Sequence, residues 1–263
     1  MKEIRLCDDT EVKRISKLCI DNNLGIEIQG FYNPKLMNTL ECEKLLNEHK
    51  EILKDFKLSK SMHAPFWDLN LGSKNEDIKE VTMKTFNYAY KIAKELGCKE
   101  IVVHNGFTPN TSFYSGWVKN ACLFWEEFFK DKDDSITMMI ENQCEEDSEL
   151  IKMEIESFND PRLKVCLDIG HAHANSNMKV EEWIKTLKDK IGYVHLHDNH
   201  SKVEGRPSYL NDEHLGLKMG NIDLEKVFSL LEEYSPEAIW AIECKLEYIE
   251  DSINVLKSLG YIK

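Results

Sequence analysis

The chain has 263 residues, 42% hydrophobic and 31% charged, the composition of an ordinary soluble globular protein long enough to bury one sizeable core. No segment has the run of about 18 apolar residues that a membrane helix needs, which excludes a membrane-spanning class. A net charge of −13 opposes a broad nucleic-acid footprint, though not a local one, and only four basic residues are arginines (Arg5, Arg14, Arg162 and Arg206), so bidentate phosphate clamps are scarce.

In chain order, short β-rich runs are predicted at Glu3–Leu6, Gly25–Gln29, Ser61–His63, Ile101–His104, Thr137–Glu141, Lys164–Asp168, Tyr193–His197 and Ile239–Glu243. The opening MKEIRLCDDTEVKR lacks the apolar core of a signal peptide. Amphipathic helical patterns lie between the strands, among them EVKRISKLCIDNN, LECEKLLNEHKEILKDF, NEDIKEVTMKTFNYAYKIAKELG and DLEKVFSLLEEY. Gly97 ends the third pattern and Asp223 caps the start of the fourth. No linker, repeat or low-complexity tract divides the chain. Strand and helix alternating eight times predict an α/β fold, one (β/α)8 TIM barrel spanning residues 1–263. The eight cysteines are scattered singly without a CxxC pair, which predicts a reduced, cytoplasmic protein with neither a zinc ribbon nor a thioredoxin-like site.

Six of these runs end in a residue that binds metals: His63, His104, Glu141, Asp168, His195 and Glu243. The C-terminal ends of barrel strands are where this architecture carries catalysis. His171, Asp212 and His214 follow in adjoining loops, making nine imidazole or carboxylate groups without a thiolate, a set suited to zinc, manganese, cobalt or iron. One such residue would be unremarkable, but several carboxylates converging on one barrel mouth need a cation to offset their desolvation. His197 lies two residues after His195 on the same strand face and competes with it or supplements it. His173 competes with His171 less well, and His49 and His200 read as surface residues. Two aromatic pairs, Phe31-Tyr32 and Phe66-Trp67, follow the second and third strands and can wall a substrate pocket, with core packing an equal reading.

With LDIGHAHAN, VHLHDN and DEHLGLKMGNID in place, nearly the whole chain resembles the xylose isomerase-like barrel superfamily of sugar isomerases, epimerases and endonuclease IV enzymes. Resemblance to the isomerase branch implies one divalent metal (zinc, manganese, cobalt or magnesium) held by Glu141, Asp168, His195 and Glu243. Glu141 and Glu243 would then be catalytic, exchanging a proton α to a metal-polarised carbonyl of a sugar or sugar phosphate. Phe66, Trp67, His171 and His197 would touch the substrate. The arginine that often follows the strand-seven histidine by six residues in that branch is here Ser201.

Resemblance to the endonuclease IV branch implies three metals on all nine ligands and hydrolysis of phosphodiesters in abasic DNA. His63 and His104 would hold one metal, with Glu141 bridging to the second, and His171, Asp212 and His214 would hold the third. The sequence favours the sugar enzyme, because the loops offer few basic groups to grip a duplex: Lys35 in GFYNPKLMN, then Lys202, Arg206 and Lys218. A related lyase or dehydratase and a metal-binding protein without catalysis are lesser readings. A polymerase-and-histidinol-phosphatase type enzyme resembles a fold that opens on an HxH strand, which MKEIRLC is not.

Overall fold

In the computed structural model, which describes residues 2–203, 205 and 210–263, every run of β pattern becomes a barrel strand. Arg206, one of the loop's basic groups, lies outside the described residues. The first half runs β1 (Ile4–Cys7), α1 (Val12–Asn22), β2 (Gly25–Ile28), α2 (Leu40–Leu53), β3 (Lys60–His63), α3 (Glu76–Leu96), β4 (Glu100–His104) and α4 (Tyr114–Phe129). The second runs β5 (Thr137–Glu141), α5 (Glu149–Phe158), β6 (Leu163–Asp168), α6 (Ile169–Asn175), α7 (Val180–Leu187), β7 (Ile191–Leu196), α8 (Leu224–Tyr234), β8 (Ile239–Ile242) and α9 (Ile249–Ser258). Each strand pairs in parallel with the next, and β8 closes on β1, as the predicted TIM barrel requires. The predicted strand ends hold to within two residues.

Local chemistry explains the elements. The Asn75 side chain caps α3 through the Asp77 N–H, and Gly97 closes it at φ 74°, returning its N–H to Ala93 and Lys94. Asp223 caps α8 through the Lys226 N–H. Apolar residues on the outer faces of the strands pack against the helices as one large core, whereas the barrel interior is plugged by a smaller cluster: Cys7, Val102, Met139, Cys166, Tyr193, Ile239 and Ala241.

That plug positions the site. Successive side chains of a strand alternate faces, so residues two positions after a plug residue also point inward, one layer nearer the C-terminal mouth. By this count Val102 leads to His104, Met139 to Glu141, Cys166 to Asp168, Tyr193 to His195 and Ala241 to Glu243. Below that layer the interior polar groups are paired, Arg5 with Glu100 and Ser61 with Tyr193, whereas the polar residues one layer above the plug gather at the mouth.

Candidate metal centre

Above the plug, a cavity of about 310 Å³ opens at the mouth, with His63, His104, Glu141, His171, Asp212, His214 and Glu243 in its wall. His63 and His104 each bring Nε2 to within 3.1 Å of the same oxygen, Glu141 Oε2. The other oxygen, Glu141 Oε1, faces His195 Nδ1 at 3.3 Å, and Asp168 Oδ2 and Glu243 Oε2 lie 3.7 and 3.1 Å from that nitrogen. On the far side His171 and His214 bring Nε2 to 3.2 and 3.1 Å from Asp212 Oδ2. All nine sequence-predicted ligands therefore meet in one mouth, in three adjoining groups of donors spaced closely enough to share a cation, and Glu141 belongs to two of them.

The tautomers are set by backbone. His63 Nδ1 lies 2.7 Å from the Ala64 carbonyl, His171 Nδ1 3.0 Å from that of Asn142, and His214 Nδ1 2.7 Å from that of Glu243. A carbonyl oxygen only accepts, so each Nδ1 carries the hydrogen and Nε2 of the neutral ring is a bare lone pair aimed at a carboxylate. Lone pair facing lone pair is repulsive unless a proton or a metal cation stands between them. Asp168 is held differently: its Oδ1 accepts from the His171 backbone N–H as the cap of α6 and from His197 Nε2 at 3.0 Å. One residue thus starts a helix and presents a second oxygen to the centre.

Without a cation, the charges compensate by proton uptake. Burial pulls the His214 imidazole down, but the Asp212 hydrogen bond and the charge of Glu243 outweigh it and bring it to about 9. Burial likewise works against His195 and His171, yet Cys166 and the carboxylates of Glu243, Glu27 and Glu141 raise the first, and Asp168 and Asp212 the second, well above the ordinary range. Burial would push Asp168 up, yet His171 and His197 hold it down at about 2. Three buried atoms keep unused capacity at the centre: His195 Nδ1, Glu243 Oε2 and Asp212 Oδ1 have no hydrogen-bond partner among the described residues. Buried, unsatisfied donors of this kind fit a bound divalent metal.

Several other expectations need correction or placement. His197 stands beside the outer group and not in the place of His195: its Nε2 is 3.0 Å from Asp168 Oδ1, its ring stacks on His214 with centroids 4.0 Å apart, and it lies close enough to His171, Asp212 and His214 to share a cation with them. His173 turns outward to Asn221. His49 is not a surface residue; it is 2% exposed, pressed against Phe31 beneath Gly30, because α2 packs that face onto the β2 loop. His200 is exposed, as expected. Phe31 is core, whereas Tyr32 and Phe66 line the cavity, Phe66 stacking on His104. Trp67 sits half-exposed at the rim, edge-on to Tyr32 and Phe66. None of the three described arginines reaches the mouth, since Arg5 is buried against Glu3 and Glu100, Arg14 faces Glu250 and Arg162 holds Asp160.

Two residues of this site escaped the sequence reading, Glu27 and Gln29. Glu27, on β2, is wholly buried, and both its oxygens lie 3.1 Å from His195 Nε2. A carboxylate inside the apolar run GIEI was the available signal. Gln29, two residues on, donates to Glu243 Oε1 at 2.5 Å and lies 3.3 Å from Glu27.

A β/α barrel with histidines and carboxylates gathered at its strand ends, spaced so that they could hold metal ions, defines a class of protein. Within it, the xylose isomerase-like TIM barrel model matches residues 8–259, so the chain belongs to that family of enzymes. It is 28% identical over 240 residues to an uncharacterised protein of Methanocaldococcus jannaschii, covering 88% of this chain and 90% of that one. It is 30% identical over 223 residues to a probable endonuclease 4 of Aquifex aeolicus, covering 78% and 77%. A crystal structure of a D-tagatose 3-epimerase-like protein superposes with a TM-score of 0.73 at 22% identity, covering 97% of this chain and 96% of the other, a likeness of fold.

Proposed function

We propose that the protein is a divalent-metal-dependent hydrolase of phosphodiesters that uses up to three cations, with abasic duplex DNA as the substrate to test first. The observation that carries this reading is the matched construction of the two outer groups. Each puts two bare Nε2 atoms on one carboxylate oxygen, with the opposite ring nitrogen locked to a backbone carbonyl wherever that contact is seen. A one-metal sugar enzyme needs only the inner four residues as metal ligands and would use His171 and its neighbours for substrate contacts alone, for which two matched sets of bare nitrogens on a carboxylate oxygen are not required. The likeness to the Aquifex endonuclease, which runs through most of both chains, supports the same reading.

Bound there, divalent cations would withdraw charge from the phosphate oxygens and acidify an attacking water. The chain's own groups do the rest. Glu141 spans the first and second groups and fixes their spacing. Glu243, in the cavity wall, would take the proton from water. Phe66, stacked on His104, keeps bulk water off the histidine pair, and the Tyr32–Phe66–Trp67 cluster offers aromatic faces to a sugar or base.

The second reading, isomerase or epimerase of a sugar or sugar phosphate, is favoured by a specific observation as well. Glu141 Oε1 and Glu243 Oε2 flank His195 Nδ1, a pair of carboxylates disposed to exchange protons across a small substrate in a cavity of about 310 Å³. The scarcity of arginine at the mouth suits that substrate better than a duplex.

Metal-loaded protein given abasic duplex DNA, a simple phosphodiester ester, and a panel of ketoses, aldoses and their phosphates in heavy water separates the two. Strand scission above a metal-only control, with about three cations bound, is the expected result. Solvent deuterium entering a sugar with no scission would hand the function to the second reading.

A further inference from the structure

We infer that Glu27 is a positioning residue: it holds the far edge of the His195 ring so that Nδ1, and not Nε2, is the metal-binding atom, while Gln29 turns Glu243 to face the same point. The inference rests on the proposed metal centre and concerns residues that the nine-ligand pattern leaves out.

His63, His171 and His214 of the outer groups are oriented by backbone carbonyls, which the chain supplies just past the ends of β3, β5 and β8. His195 cannot be oriented in that way. It is wholly buried, against the Tyr193 ring of the same strand, where the neighbouring strand carbonyls are spent on the barrel ladder. Its orienting group must therefore be a side chain from across the barrel, and it must accept a hydrogen. Glu27 meets both conditions: it comes from β2, both oxygens lie 3.1 Å from Nε2, and it is itself fully buried. With the Nε2 hydrogen donated to Glu27, the ring of the neutral imidazole presents a lone pair at Nδ1, the edge that faces Glu141, Asp168 and Glu243. An anionic acceptor also raises the basicity of the opposite nitrogen, which strengthens its bond to a cation.

Gln29 completes the arrangement. Its backbone N–H is bound by Asp8 Oδ1 at 2.9 Å, and its amide donates to Glu243 Oε1, so the partnerless Oε2 of Glu243 is the oxygen left toward His195 Nδ1. The β2 residues Glu27 and Gln29 share one strand face and act on the two ligands contributed by β7 and β8. A cation seated instead among Cys7, Glu27, His195 and Glu243, whose donor atoms also lie close together, would take Nε2 and leave Nδ1 bare; that placement is the rival to be excluded.

The test is metal affinity, read by competition with a chromophoric chelator for zinc and by the absorption spectrum of the cobalt-loaded protein, in wild type, Glu27→Gln, Glu27→Leu, His195→Ala and the Glu27→Gln/His195→Ala double variant. Glu27→Leu should weaken the tightest cation about 10–100-fold, the range for losing an orienting partner. Glu27→Gln, whose amide oxygen still accepts from Nε2, should fold even if the leucine variant does not and should lose about 3–10-fold. In the His195→Ala background Glu27→Gln should change nothing further, because its effect passes through that ring. Wild-type affinity in a folded Glu27→Gln protein, or an equal loss with and without His195, overturns the inference. So does a cobalt–thiolate charge-transfer band that disappears in Cys7→Ser. If wild-type protein binds no cation at all, the metal centre itself falls; if it binds and Glu27→Gln is silent, only the role of Glu27 does.

Discussion

The ring nitrogens carry most of the functional argument. His171 and His214 bring Nε2 to one oxygen of Asp212, so removing either ring takes away one of the two nitrogens on that oxygen. His214→Ala is expected to bind about one cation fewer than wild type, to keep the inner cation on Glu141, Asp168, His195 and Glu243, and to lose phosphodiester hydrolysis by two or more orders of magnitude, on the scale of removing a transition-state charge stabiliser. Metal analysis beside a cleavage assay checks this, and full stoichiometry with unchanged turnover would return the site to the one-metal sugar reading. Glu243→Gln should abolish turnover under either reading while leaving the fold intact, because the change removes a charge at the mouth and no packing volume.

Two tests belong to the elements. Gly170, in α6, has no room for a side chain: a Cβ there would stand 2.1 Å from the His197 ring, which is stacked on His214 and bonded to Asp168. Gly170→Ala should cost about 1–3 kcal/mol by overpacking and weaken metal binding by displacing Asp168; thermal melts and chelator competition read the two effects, and a melt equal to wild type would contradict the close packing. Where α4 meets α5, Glu154 is fully buried and accepts from Trp125 Nε1 at 2.8 Å, and burial drives its carboxyl up to about 8. The folded state therefore keeps a proton that the unfolded chain releases above its ordinary value of 4.5. Stability from this group is greatest at low pH and falls as pH rises from about 4.5 to about 8, by up to about 1.4 kcal/mol per pH unit, then levels off. Denaturant titrations at pH 6 and 9 should show Glu154→Gln losing much less stability than wild type over that interval; parallel losses would mean that Glu154 is not the group responsible.

For the whole molecule, the mouth concentrates Glu27, Glu141, Asp168, Asp212 and Glu243 in a chain already at −13, so cation binding should favour the folded state. Adding zinc or manganese at about 100 times its dissociation constant should raise stability by about 2.7 kcal/mol over chelator-treated protein, and calcium should do less because imidazole is a poor ligand for it. Equal melting temperatures with and without transition metal would argue against a resident centre.

The sequence by itself determined the barrel and which histidines and carboxylates stand at its mouth. Apolar runs at strand length, alternating with helices at three- and four-residue spacing, admit few other topologies, and the period-two pleat carries the inward face from Val102, Met139, Cys166, Tyr193 and Ala241 to a polar residue at the mouth. Glu27 obeys the same rule and was legible in principle, but a carboxylate in the middle of a strand carries no sign of its partner, His195, 168 positions away. His49 misled for the related reason that a charged helix pattern does not say which face is covered. Only the tertiary structure decided which nitrogen of each ring faces the centre, that Glu141 serves two groups with one oxygen each, and that His197 braces Asp168 and leaves the inner position to His195. Those facts depend on a few ångströms between atoms from different strands, set when the barrel closes, and a linear pattern of residue types holds no such distances.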